Sequence, residues 1–247
     1  MVSKSDIKQH FQKSRSSYDN NAHVQKMIVK RFKELLAEFL PDKCRKVLEI
    51  GCGTGLLTRE LRNMSDIELF INDIVDEVCF ETASVNNISD DHTIAGDIEH
   101  TDLPGVFDTI LSTSTFQWLA DPKETFNRLA SHLTPEGIMI FSSFGKDNFK
   151  ELREVTGNGL YYYNRVELEN LLSGSFKVIH FEENRHVLHF TDPVEILKHL
   201  KNTGVNAVKS EKQWVPKTLK EFVARYTQTE DGCPLTYHPL YIVAQRK

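Results

Sequence analysis

Residues 46–55 read Lys46-Val47-Leu48-Glu49-Ile50-Gly51-Cys52-Gly53-Thr54-Gly55. The short apolar run followed at once by alternating glycines predicts a strand ending in a tight turn, and the spacing over 56–63 predicts a helix directly after it. Glycine has no Cβ, so such a turn can bend sharply and let a ligand approach the backbone, while the following helix offers unpaired N–H groups. The spacing is G-x-G-x-G; the dinucleotide fingerprint of hydride-transfer enzymes is G-x-G-x-x-G. A strand-to-helix turn that binds nothing is the plain alternative, and the surroundings must decide.

On the N-terminal side, Val24, Met27, Ile28, Phe32, Leu35, Leu36 and Phe39 follow helical spacing and Pro41 ends the run. On the other side, strands over 68–72, 92–95, 107–112 and 137–142 alternate with helices over 75–86 and 122–132. This rhythm predicts an α/β chain, a doubly wound parallel sheet covered by helices on both faces, with ligands at the carboxyl ends of the strands. After Phe144 the rhythm changes. Residues 147–172 read as helical with an aromatic interruption at Tyr161-Tyr162-Tyr163, 176–190 as one long or two short strands, 192–203 and 216–227 as helices, and 240–245 as a last strand. The expected organisation is an N-terminal lid and ligand-binding core over 1–144, a cap or substrate region carrying a later core strand over 145–230, and a final core strand over 231–247.

Composition narrows the class. The chain has 247 residues, a formal net charge of −5, 40% hydrophobic and 26% charged residues, which excludes disordered and collagen-like chains. No stretch has the length of a signal peptide or of a membrane span, so a cytoplasmic protein without a membrane partner is expected. Cys44, Cys52, Cys79 and Cys233 form no C-x-x-C pair and are expected to be reduced and packed, with no metal site. The acidic balance argues against nucleic-acid binding. Over 193–226, however, Lys198, Lys201, Lys209, Lys212, Lys217, Lys220 and Arg225 face only Glu195, Glu211 and Glu221. This one positive segment is either a solvated helical face or a docking surface for an acidic partner.

At the glycine turn the chain resembles the class I S-adenosylmethionine-dependent methyltransferases, whose first motif is an acidic residue, an aliphatic residue and G-x-G-x-G, here Glu49, Ile50 and Gly51 to Gly55. The resemblance implies a Rossmann-like sheet with an antiparallel last strand, an N-terminal helical lid and an inserted cap, and S-adenosylmethionine as cofactor. It implies that Gly51, Cys52, Gly53, Thr54 and Gly55 pass the cofactor. Asp73, with Ile74 beside it, would accept hydrogen bonds from the ribose hydroxyls; by its position alone it could equally cap the next helix. Asp97 would face the adenine amino group, Ile98 would pack on the ring, and Ser112 would lie by the methionine part. Tyr18, in a polar N-terminal helix, would reach the methionine carboxylate and serve the reaction; it could also be a surface aromatic.

More of the chain is similar to one subfamily, the malonyl-acyl-carrier-protein O-methyltransferases of biotin synthesis. The likeness is carried by Phe11, Tyr18, Ala22 and Gln25, by Phe116-Gln117-Trp118, by Glu151-Leu152-Arg153, by His199-Leu200-Lys201 with Thr203-Gly204-Val205-Asn206-Ala207, and by Pro234-Leu235-Thr236-Tyr237-His238. The implied reaction moves the sulfonium methyl to the free carboxylate of a malonyl thioester on acyl carrier protein. A carboxylate of ordinary pKa, about 4, is already ionised at neutral pH and needs no general base. What it needs is an anchor, and a guanidinium is the natural one. Arg153 is the first choice, against an ordinary surface pairing with Glu151 or Glu154. Tyr162 would line the acyl tunnel or simply pack, and Lys198, Lys201 and Lys217 would steer the acidic carrier. Two other functions stay open: methylation of a small free carboxylic acid, and a catalytically silent methyltransferase-like binding protein.

Overall fold

The computed structural model describes residues 3–40, 44–64, 66–204 and 216–247. The chain opens with α1 (Lys4–Asn21), whose first turn is capped by the Ser3 hydroxyl accepting the Asp6 amide, and α2 (His23–Phe39), which buries the apolar stripe of Ile28, Phe32, Leu35 and Leu36. Then strand and helix alternate as β1 (Lys46–Ile50), α3 (Leu56–Arg62), β2 (Glu68–Asp73), α4 (Asp76–Val85), β3 (Thr93–Ala95), β4 (Phe107–Ser112), α5 (Pro122–Ser131) and β5 (Leu133–Phe144). β5 starts earlier than expected. The sequence places its start at 137, but the strand runs through Pro135 and Glu136 with Glu136 in the left-handed region (φ +64°), and the β4 pairing shifts register between Phe107 and Thr109. Three extra residues of β5 are absorbed between those two pairings, an irregularity that bends a strand without ending it.

The second half runs α6 (Lys150–Thr156), α7 (Arg165–Leu172), β6 (Phe176–Glu183), β7 (His186–Phe190), α8 (Pro193–Asn202), α9 (Pro216–Arg225), β8 (Cys233–Tyr237) and β9 (Pro239–Arg246). The run 176–190 is two strands that part to different sheets. β6 pairs antiparallel with β9, and β7 pairs antiparallel with β8. The β8 strand lay outside the sequence expectation, since a proline in a five-residue run argues against a strand.

The large sheet has the order β3-β2-β1-β4-β5-β9-β6. β1 pairs parallel with both β2 and β4, so the order reverses beside β1, and the crevice at its carboxyl end is where a doubly wound sheet takes its ligand. This is the mostly parallel sheet with one antiparallel strand that the alternation and the family likeness imply.

The chain divides into two compact units, one of residues 25–143, 163–183 and 240–247, the other of residues 1–24, 144–162 and 184–239. The first is built on the large sheet; its core gathers Leu48, Ile50, Phe70, Phe107, Ile110, Phe126 and Phe141, and α5 packs on α7. In the second, α1 packs on α8, α9 on α6 and α8, and α6 on β8. Among the described residues no helix is long and apolar enough to cross a membrane, no group of three ligating side chains could hold a metal, and all four cysteines are buried free thiols.

Candidate functional site

In the sheet unit the glycine turn leaves β1 and enters α3. Its backbone is held from beneath: the Gly51 and Cys52 amides both donate to the Asn72 carbonyl (2.8 and 2.9 Å), and the Gly55 amide donates to the Cys52 carbonyl (2.9 Å). Gly51, Gly53 and Gly55 take φ of +73°, +50° and +80°, a region that costs an L side chain about 1–2 kcal/mol per residue. They differ in what surrounds them. A Cβ on Gly51 would lie 2.0 Å from the Thr115 hydroxyl and one on Gly55 3.1 Å from Thr82, whereas one on Gly53 would meet nothing within 4 Å. A side chain at Gly51 would thus displace Thr115, and one at Gly55 would crowd Thr82. Gly53 faces open space, which a ligand laid along the turn would use, so the residues present fit a bound cofactor.

Asp73 closes β2 beside that turn. Its side chain is buried, one carboxylate oxygen accepting the Gly53 amide (2.9 Å) and the other the Val75 amide (2.8 Å). It thus both fixes the turn and caps the approach to α4. Ile74 is half-buried next to it. Asn72, absent from the sequence reading, is 1% exposed and binds the β3 end: its carboxamide donates to the Ile94 and Gly96 carbonyls (2.7 and 3.0 Å). Only its adjacency to Asp73 could have pointed to it. Thr82 is a second support that periodicity could not single out, its hydroxyl donating to the Gly53 carbonyl at 2.6 Å.

The remaining strand ends complete the crevice. The Gly96 amide donates to the Asp73 carbonyl (2.9 Å), placing half-buried Asp97 after β3; the Asp97 carboxylate accepts the Glu99 amide (3.2 Å). Ile98 is buried within the apolar core. Ser112 is fully buried and its hydroxyl donates to the Ile50 carbonyl at 3.0 Å, tying β4 to β1. Past it, Ser114 adopts φ +55° and its amide donates to Ser142. Cys52 is buried, and its thiol is pushed well up, first by a hydrogen bond with Cys79 and then by burial, so it is no nucleophile. Glu49 is 1% exposed and accepts the Thr58 hydroxyl at 2.7 Å; burial pushes its carboxyl up to about 8.

The other sequence-selected residues lie in the smaller unit. Arg153, on α6, is part-buried. Its guanidinium stands 5.5 Å from the centre of the Tyr162 ring and one Nη donates to the Lys146 carbonyl. Its Nε is fully buried with no hydrogen-bond partner, and among the described residues it makes no ion pair with a carboxylate. Glu151 instead turns its carboxylate to Thr236, accepting both the amide (3.0 Å) and the hydroxyl. Tyr162 is buried, and burial pushes its phenol up to about 12, with its bond to Asn148 and the Arg153 charge opposing. Tyr161 is the exposed neighbour, at 61%, with the Lys146 ammonium 4.4 Å from its ring centre. Lys198 and Lys201 lie exposed on α8, and Lys217 is exposed at the start of α9. Lys209 and Lys212 fall outside the described residues. Tyr18 falls within α1, but its side chain lies outside the description.

The comparisons with known proteins agree with this geometry. A family described as a methyltransferase domain matches residues 21–210. The malonyl-[acyl-carrier protein] O-methyltransferase of Bacteroides thetaiotaomicron is 39% identical to this chain, over 100% of this chain and 99% of that protein. Among solved structures, a candidate methyltransferase of Bacillus halodurans superposes with a TM-score of 0.63 at 10% identity, covering 86% of this chain and 97% of that one. A Haemonchus contortus phosphoethanolamine N-methyltransferase 2, solved with S-adenosylhomocysteine, reaches 0.54 at 18% identity, over 88% of this chain and 52% of that one.

Proposed function

The chain belongs to the malonyl-[acyl-carrier protein] O-methyltransferases, within the S-adenosylmethionine-dependent methyltransferases, and from that premise we propose that it esterifies the free carboxylate of a malonyl group carried by acyl carrier protein. The methyl ester hides the charge of the primer, which suits the route to a pimeloyl chain in biotin synthesis. S-adenosylmethionine, when bound, supplies an electrophilic methyl on a sulfonium. The chain's own residues then have three tasks: to hold the cofactor, to hold the acceptor carboxylate in line at roughly 3 Å from that methyl, and to keep water away. For the first, the Gly51 to Gly55 turn and Asp73, with Tyr18, Ile74, Asp97, Ile98 and Ser112, are the proposed cofactor residues. The N-terminal helix is the proposed lid and residues 145–230 the proposed cap.

The observation that carries the acceptor assignment is Arg153. A guanidinium with a buried, unpartnered Nε and no carboxylate of its own supports a role in binding an incoming one, because a buried donor left without a partner costs about 1–3 kcal/mol. Its planar fork can take one carboxylate oxygen while leaving a lone pair on the other for attack. No general base is needed. Tyr162 supports the arginine with its ring face, and Lys198, Lys201 and Lys217 are the proposed contacts of the acidic carrier.

The test is transfer of labelled methyl from S-adenosylmethionine to malonyl carrier protein, with malonyl coenzyme A, acetyl carrier protein and free malonate in parallel. Malonyl carrier protein is labelled and the acetyl form is not. Arg153→Ala lowers kcat/KM for the malonyl carrier about 30- to 100-fold, as expected for a charge-assisted contact, and leaves cofactor affinity unchanged. Labelling of free malonate alone would replace this reading by a small-acid methyltransferase, and cofactor binding with no acceptor labelled would point to the silent binding protein.

A further inference from the structure

Two of the subfamily-selective stretches, Glu151-Leu152-Arg153 and Thr236-Tyr237-His238, lie far apart in sequence and bond to each other. The Gly145 amide donates to the His238 carbonyl (2.8 Å) and the Phe149 amide to the Thr236 carbonyl (2.7 Å). The Asp147 amide donates to His238 Nδ1 (3.1 Å), and the His238 amide donates to Asn148 Oδ1 (3.2 Å). The Glu151 carboxylate closes the set on the Thr236 amide and hydroxyl. The Thr236 amide and carbonyl are thus both spent on the start of α6. At its centre Phe149 is held at φ +54° with its ring edge-on to Tyr237 at 4.8 Å between centres, a backbone conformation that persists only where its surroundings fix it.

We propose that Glu151 and Thr236 form a positioning lock that sets the direction of Arg153, an inference that rests on Arg153 being the carboxylate anchor. Packing α6 onto β8 requires no charge, and burying a carboxylate is costly unless its bonds are met. Glu151 is 5% exposed and gives both oxygens to one residue, which fixes the rotation of the helix as an apolar contact would not. Residues two apart on an α-helix point roughly 200° from one another, so pinning Glu151 to β8 turns Arg153 to the opposite side, onto the Tyr162 ring. The second restraint on the guanidinium, the Lys146 carbonyl, belongs to the same stapled loop. Lys146 sits between Gly145 and Asp147, whose amides both donate to His238.

Glu151 and Thr236 are positioning residues, and their test is coupling to Arg153 in the full-length enzyme. Thr236→Val and Glu151→Gln each lower kcat/KM for malonyl carrier protein about tenfold, the scale expected for a misdirected binding group. Thr236→Ser, which keeps the hydroxyl, stays within about twofold of the parent, and S-adenosylhomocysteine affinity measured by calorimetry is unchanged in all three. In an Arg153→Lys or Arg153→Ala background the same substitutions cost less than about twofold, since residues acting through one group are not additive. A full tenfold loss in every background, a loss of cofactor affinity, or no effect of Thr236→Val overturns the lock while leaving the anchor standing. Unchanged kcat/KM in Arg153→Ala alone overturns the anchor, and the lock with it.

Discussion

Asp73 and Glu49 are both buried carboxyl groups near the glycine turn, and their hydrogen-bond partners differ. Asp73 accepts two backbone amides, Gly53 and Val75. Glu49 accepts the Thr58 hydroxyl, but burial outweighs it, and the Asp73 charge adds to the rise, so its carboxyl titrates at about 8 against an ordinary 4.5. Between those two values the folded chain holds a proton that the unfolded chain has released. The associated stability is complete below pH 4.5 and is lost as the pH rises through about 8. Glu49→Gln keeps an acceptor for Thr58 and cannot titrate. The melting temperature of the parent relative to this variant therefore falls from pH 5 to pH 8, by on the order of 5 °C for a chain of this size. A difference that stays constant with pH would mean that Glu49 is ionised throughout.

Among the elements, α8 and α9 carry the positive segment. Each buries one face: Ile196, His199 and Leu200 on α8, Phe222 on α9. The other face exposes Lys198 and Lys201, or Lys217, Lys220 and Arg225. Burying His199 against Tyr237 (2.7 Å) lowers its pKa to about 4, so it adds no charge there at neutral pH. Replacing Lys198 and Lys201 with Glu should raise KM for malonyl carrier protein about tenfold in low salt, and the gap to the parent should narrow as salt screens the surface. Malonyl pantetheine, which has no protein surface, should be unaffected; an equal rise for both acceptors would show that the lysines do not meet the carrier. The elements also mark where the sequence is readable. β1 to β4 and their helices were legible because each completes its signal locally, an apolar run and then a glycine, proline or helical period. β8 was not: Pro234 hides it, and its pairing with β7 joins residues far apart in sequence. For the same reason Arg153 could be chosen by residue type, whereas its release from Glu151 could not, since that depends on Thr236.

At the scale of the whole molecule, the residues proposed to hold cofactor and acceptor are divided between the two units. The glycine turn, Asp73, Asp97 and Ser112 belong to the unit of residues 25–143, 163–183 and 240–247, and Arg153, Tyr162 and the lysines to the other. Neither unit is one continuous stretch, so neither can be cut out as a simple fragment, and ligands are the means of addressing them separately in the intact chain. A ligand that binds only the folded state stabilises it by about 2.7 kcal/mol at one hundred times its Kd. For a chain of this length that is roughly a 5–10 °C rise in melting temperature. S-adenosylhomocysteine should produce this rise in the parent and equally in Arg153→Ala, because the arginine lies outside the unit that holds the turn. It should produce little or none in Asp73→Ala, which loses the proposed ribose acceptor and the support of the Gly53 amide together. Should Arg153→Ala abolish the shift, the guanidinium would belong to the cofactor site, and the carboxylate anchor would have to be sought elsewhere in the smaller unit.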